Sequence, residues 1–255
     1  MEQLDPNGLV DAIEEVFEAT IELASHITQQ QAGLPTECPG WTVQDQLAHM
    51  VGLEQVLAGA PEPNVDLGDL DHVDTEFDAF MEATVHIRRP LPFCAVADEL
   101  TGFAPRRIAQ LRELVEQGDP KVPGPFGERR LSAALPIRVF DLWAHEQDIR
   151  RAIGDAPRIT GLAAEISMSR SLLGWTMGLA KAHKDVDGVV TIQLEGPKPS
   201  ATVLTLGHGG PEMTIRGDLG QLTRAFCGRG EPDRSLLSGD DGLVAALHAK
   251  LAFTP

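Results

Sequence analysis

Three side chains in this sequence have the types and spacing to grip one cation: His49, Asp141 and His145. Asp141 and His145 stand four residues apart, and on a helix positions i and i+4 share a face. A carboxylate and an imidazole on one face can hold an ion from one side, and a histidine from a neighbouring helix closes the site. Two imidazoles and one carboxylate leave coordination positions open for water or substrate, the pattern of catalytic rather than structural sites. That donor set accepts zinc, nickel, iron and manganese alike.

Spacing by itself is a weak signal. Glu22–His26, Asp45–His49, His72–Glu76, Glu82–His86 and His183–Asp187 share it, because an acidic composition produces such pairs freely. They read as solvated helix faces or capping contacts. Context singles out Asp141–His145. Its segment also carries Val139, Phe140, Leu142, Trp143 and Ile149, so the helix should be largely buried, with Arg138, Asp141, His145 and Asp148 as a polar stripe. Buried charge must be paired or ligated, because desolvation is costly. A salt-bridge ladder through Arg138, Asp141 and His145 meets that demand as well as a metal does, and these residues alone leave the two readings level. His49, at the edge of an apolar arc, reads by itself as a half-buried histidine bonded to a neighbour. Glu146 and Asp148 are conceivable general bases, expected to face solvent or Arg150 and Arg151.

The elements that must position these residues are helical. Leu9, Ile13, Val16, Phe17, Leu23 and Ile27 recur at helical spacing and predict a helix near 7–29. LPTECPGW is a turn, and Thr42 followed by Asp45 forms a capping pair for a second helix near 43–58. A further helical region carries Phe77, Phe80, Met81, Val85 and Ile87. Val96 to Val115 is another, in which Pro105 predicts a break or kink. QGDPKVPGPFGERR reads as loop. The helix of Asp141 and His145 follows it, with Pro136 tolerable only near its start and Gly154 suited to the position just past its end. After DAPRIT the pattern changes. A helix near 161–182 precedes strands GVVTIQLEG, SATVLTLG, EMTIRGD and LLSGD, and Asp218 and Asp240 can cap two short helices. The expected fold class is α+β, with an up-and-down helical bundle over 1–155 and a smaller α+β domain over 156–255.

Composition narrows the partners. Hydrophobic residues make up 42% and charged residues 23%, which is ordinary for a packed protein. Acidic residues outnumber basic ones 38 to 21, for a formal charge of −17. Such a surface repels phosphate backbones and anionic lipid, so neither nucleic acid nor membrane is an expected partner. The start is acidic and does not read as a signal peptide, and no stretch of about 18 apolar residues occurs. Cys38, Cys94 and Cys227 are few and far apart, which argues against disulfides and cysteine zinc knuckles and for the reducing cytosol. None needs to be a nucleophile: Cys38 reads as a small packed residue, and Cys94 and Cys227 have core-like neighbours.

TECPGWTVQDQLAHMVGLE resembles the signature of the mycothiol-dependent maleylpyruvate isomerase family, a branch of the DinB-like metal-binding bundles. RVFDLWAHEQDIRRAIG resembles that family's fourth helix. FCGRGEP, LLSGDD and LHAKLAFTP resemble its sterol-carrier-like C-terminal domain. The resemblance implies a four-helix bundle holding a divalent metal, commonly zinc. It places a histidine ligand on the second helix and a Glu-x-x-x-His pair on the fourth, at positions that match His49, Asp141 and His145. Aspartate stands here where the isomerase has glutamate, and its shorter side chain implies a metal nearer the helix or held through water. The family also places an arginine of the C-terminal domain close to the metal. Arg229 is the best match, with Arg216 as the second choice.

The chemistry so implied is that of a small thiol, mycothiol, activated as thiolate against a small electrophilic substrate. Net transfer would make the protein an S-transferase, and addition with elimination an isomerase. Two other classes stay open: a non-catalytic binding or regulatory protein with the metal as a strut, and a metal-dependent hydrolase of thiol conjugates.

Overall fold

The structure is a computed structural model that describes residues 5–124, 127–196, 199–230 and 233–252. Parts of four motifs lie outside the described residues: the chain start, 125–126 of the proline-rich loop, the last two residues of FCGRGEP and the last three of LHAKLAFTP. The chain divides into two compact units, Met1–Ala156 and Pro157–Pro255.

The first unit contains α1 (Pro6–His26), α2 (Gln29–Ala32), α3 (Val43–Leu57), α4 (Glu76–His86), α5 (Phe93–Glu116) and α6 (Leu131–Ile153). Its four long helices, α1, α3, α5 and α6, form the bundle: α1 and α3 each lie against both α5 and α6. The predicted apolar arcs meet inside it, with Phe17, Leu53, Leu100, Leu111, Leu135 and Trp143 almost wholly buried. Each such side chain contributes about 1.5–3 kcal/mol by leaving water. α4 presses on α3 at Gly52, where a Cβ would stand 2.7 Å from Arg88 Nη1 and 3.0 Å from Thr84 Cβ.

Two prolines lie inside long helices. α5 runs through Pro105 without a break. Pro105 and Thr101, whose carbonyl loses its helical donor, both face solvent, and water can replace the missing N–H there. Pro136 is the sixth residue of α6 rather than one of the first turn, because the helix begins earlier than the sequence pattern suggests. That early start is held from outside. Pro120 O accepts from Leu131 N, and the Asp119 carboxylate accepts from the backbone and hydroxyl of Ser132. The segment read as loop also contains a two-residue antiparallel ladder, β1 (Lys121–Val122) with β2 (Arg129–Arg130), too short to show a period of two.

The second unit carries α7 (Leu162–Ala182), β3 (Gly188–Glu195), β4 (Ser200–Leu206), β5 (Glu212–Asp218), α8 (Leu219–Phe226), β6 (Leu237–Gly239) and α9 (Asp241–His248). The sheet order is β4-β3-β5-β6. β3 pairs antiparallel with β4 and parallel with β5, and β6 runs antiparallel to β5. Val190, Ile192 and Leu194 alternate inward, and Trp175 stacks on Phe226 at 4.8 Å. The chain is thus α+β, a helical bundle followed by a smaller mixed unit. Among the described residues no helix is long and apolar enough to cross a membrane.

Candidate metal centre

The turn before α3 sets the site's first wall. Gly40 takes φ +77°, and the His72 ring fills the space where a Cβ would be, its Nδ1 only 2.3 Å from that point. A side chain there meets both strain and a clash. Trp41 follows, buried, and donates from Nε1 to Glu82 Oε2 at 2.9 Å. Thr42 and Asp45 then make the predicted capping box that opens α3. Asp45 also accepts from Arg89 Nε at 3.0 Å, so it is occupied as a cap rather than paired with His49.

Seven residues after Thr42, α3 carries His49, which is 2% exposed. Its Nε2 lies 3.5 Å from Asp141 Oδ2 on α6. One turn along α6, His145 Nε2 lies 3.8 Å from Asp141 Oδ1. A donor atom from each of the three falls within 4.8 Å of the other two. The imidazoles meet edge to face with centroids 4.5 Å apart, and the Trp41 ring lies 4.9 Å from one and 5.8 Å from the other.

Hydrogen bonds assign the tautomer of His145. Gln46 donates its amide to Thr36 Oγ1 at 2.8 Å, which leaves its Oε1 to accept from His145 Nδ1 at 2.6 Å. Nε2 is therefore the lone-pair nitrogen, and it is the one facing Asp141. His49 differs. Neither of its buried ring nitrogens makes a hydrogen bond, although nearly all buried polar atoms do. Burial and the neighbouring His145 lower its pKa to about 4, so the ring is neutral at pH 7 with a lone pair to offer. Burial pushes the Asp141 carboxyl up, but Arg138 and the two histidines outweigh it and hold it well below the usual carboxylate range.

Arg138 realises the salt-bridge reading as well. Its Nη1 donates to Asp141 Oδ2 at 2.8 Å and its Nε to Glu54 Oε1 at 2.7 Å. The ladder and the His–Asp–His cluster thus coexist on one carboxylate. Glu54 is wholly buried on α3 and also accepts from Arg107 Nε at 2.7 Å. The neutral imidazole of His49 and the Nε2 of His145, set beside the ionised Asp141 carboxylate, can hold a divalent cation.

Residues 13–150 match the mycothiol maleylpyruvate isomerase N-terminal domain family, which is more than half of the chain. The chain belongs to this family. A crystal structure of the mycothiol-dependent maleylpyruvate isomerase aligns with TM-score 0.61 at 15% identity, covering 94% of each chain. That of a histidine-to-alanine mutant of the isomerase aligns with TM-score 0.62 at the same identity and coverage. No curated protein matches the chain.

His49, Asp141 and His145 all fall inside the stretch matched to the isomerase family domain. The remaining sequence candidates are placed as follows. Arg229 lies in the second unit, buried, with Nη1 donating to the Cys227 carbonyl at 2.8 Å. Arg216 is exposed on β5 and donates to Gln193. Glu146 faces Arg150, one of the two expected settings, fully buried and accepting from its Nε at 2.8 Å, and Asp148 does not face solvent but is buried 3.6 Å from His145 Nδ1. The register of α6 turns both inward. Cys94 is exposed rather than core-like, because α5 begins at Phe93 and puts 93, 96 and 100 inside. Cys38 is half-buried and Cys227 buried.

The sequence reading missed Trp41, Gln46, Glu54 and Glu82 as parts of the site. Trp41, Gln46 and Glu54 lie within the stretch TECPGWTVQDQLAHMVGLE, whereas Glu82 carried no signal beyond its spacing to His86.

Proposed function

We propose that the protein is a metal-dependent enzyme that uses a low-molecular-weight thiol, mycothiol, to isomerise or conjugate a small electrophile. The carrying observation is His49: a buried, neutral imidazole whose two nitrogens make no hydrogen bond among the described residues, set against Asp141 and the Nε2 of His145. Family membership supports the thiol and the reaction class.

The metal ligands in this proposal are His49, Asp141 and His145, with zinc the first choice. When bound, the cation supplies Lewis acidity that makes a thiol available as thiolate at neutral pH. The chain's own residues prepare the place. Gln46 keeps the His145 proton on Nδ1, and Arg138 keeps Asp141 ionised and oriented. Trp41 lies against both imidazoles and excludes water from that side. Arg229 of the second unit is the arginine that the family resemblance proposes as catalytic, its Nη1 donating to the Cys227 carbonyl.

Elemental analysis tests the ligand set. The wild type carries stoichiometric divalent metal, and His49→Ala and His145→Ala carry little. Equal metal in all three proteins would show the site to be misassigned. Incubation with mycothiol and a panel of electrophiles should give, by mass, an S-conjugate or an isomerised product only in the metal-loaded wild type.

Gln46 offers a finer check. Gln46→Leu removes the acceptor from His145 Nδ1 and should weaken metal affinity about 10–100-fold. A competition titration against a chelating dye measures this. Unchanged affinity in a folded variant would mean that the tautomer is set by Asp148 instead.

A further inference from the structure

A cavity of about 330 Å³ lies within the first unit, walled by α3, α4, α5, the β1–β2 ladder and α6. Its size falls within the range of about 300–1,000 Å³ usual for small-molecule sites. Asp141 lines it, so the cavity reaches the carboxylate of the His–Asp–His cluster. Most of the lining is apolar, with Leu57, Phe77, Met81, Leu114 and Ile137 on four of the helices.

The charges in that lining run against the protein's own bias. In a chain of formal charge −17, the described wall residues include Arg107, Lys121, Arg129 and Arg138 but only one acid, Asp141. Arg107 and Arg138 are answered by Glu54 and Asp141. Lys121 and Arg129 have no ion-pair partner among the described residues. Arg129 Nε and Arg138 Nη2 are moreover buried with no hydrogen-bond acceptor among the described residues. Buried guanidinium donors are costly when unmet, and a carboxylate is the partner whose geometry suits them.

We propose that this cavity binds a small molecule with an apolar body and a carboxylate end, and that this is the class of electrophile presented to the cluster. The role as electrophile rests on the functional reading above, whereas the binding itself does not. The apolar walls favour a hydrophobic acid over a small, wholly polar one, because each buried CH2 contributes about 0.8 kcal/mol. Arg129 and Lys121 select the anion.

Calorimetric titration of the full-length protein with 4-phenylbutyrate and with 4-phenylbutan-1-ol tests this, since the two share one body and differ in charge. The acid should bind at least ten times more tightly, and its binding should weaken with added salt. Arg129→Gln should bring the acid down to the level of the alcohol. Ala134→Phe, which fills space from a half-exposed wall position, should weaken both ligands while the thermal melt stays cooperative. Equal binding of acid and alcohol by the wild type, or no binding of either, overturns the proposal without need of any variant. Elemental analysis of the same samples separates the two ideas: acid binding in a protein that takes up no metal would sink the functional reading and leave the cavity assignment standing.

Discussion

Glu54→Gln is expected to lower the free energy of unfolding by about 3–5 kcal/mol, the cost of breaking a buried ion network from one side. Glu54 has no exposed surface, and its two oxygens accept from Arg107 Nε of α5 and Arg138 Nε of α6, each at 2.7 Å. One carboxylate on α3 therefore ties three of the four bundle helices. Glutamine keeps the shape but removes the charge, which leaves two buried guanidinium groups with less to answer them. Burial alone would raise the Glu54 pKa, yet Arg107 and Arg138 outweigh it and hold it below the usual carboxylate value of 4.5. A lowered pKa means that the unfolded chain binds the proton first. The stabilisation is complete above about pH 4.5 and fades as pH falls through the lower, folded value. Denaturant unfolding at pH 7 and at a series of lower pH values measures both effects. The gap between wild type and Glu54→Gln should narrow as the solution becomes more acid. A loss under about 1 kcal/mol at pH 7 would put this network in the class of exposed ion pairs and refute the account.

The second large effect is expected from the metal. Zinc at a thousand times its dissociation constant should stabilise the wild type by about 4 kcal/mol, because it binds the folded state and not the unfolded one. A chelator should reverse the gain. His145→Ala should show almost none of it, since the variant loses one of two imidazoles and leaves Gln46 Oε1 without its donor. The same substitution should cost about 1–3 kcal/mol even without metal, because Gln46 Oε1 becomes a buried acceptor with no donor, so the zinc gain is compared within each protein. Differential scanning calorimetry of both proteins, with and without zinc, reads the difference directly. An equal zinc gain in wild type and His145→Ala would place any metal elsewhere on this strongly acidic chain. The His49→Ala variant provides an internal comparison, because it removes a buried ring whose two nitrogens make no hydrogen bond among the described residues.

Both effects depend on contacts between residues far apart in the chain, and the same division separates what was legible in the residues from what was not. Local features were readable because their causes are local. Thr42 and Asp45 cap α3 as their three-residue spacing implies, and Gly154 takes φ +75° just past α6, where a left-handed residue ends a helix. Asp141 and His145 share a face because a helix turns every 3.6 residues. The apolar arcs of the long helices pointed to a bundle for the same reason, and the alternation in GVVTIQLEG to a strand. Pro105 marks the limit of this kind of reading: its rule is local, but whether a helix survives it depends on which side faces water.

The residues by themselves determined the helical bundle, the α+β unit after it and the pairing of Asp141 with His145 on one face. Tertiary structure alone decided that His49 meets them and that Gln46, 99 residues from His145, fixes its proton. It also decided that Arg138 reaches Glu54 across 84 residues while holding Asp141, so that ladder and cluster share a carboxylate rather than compete for it. Spacing in a chain encodes neighbours along one helix. Which faces of two helices are brought together is set by how the whole core fills space, and no single segment carries that information.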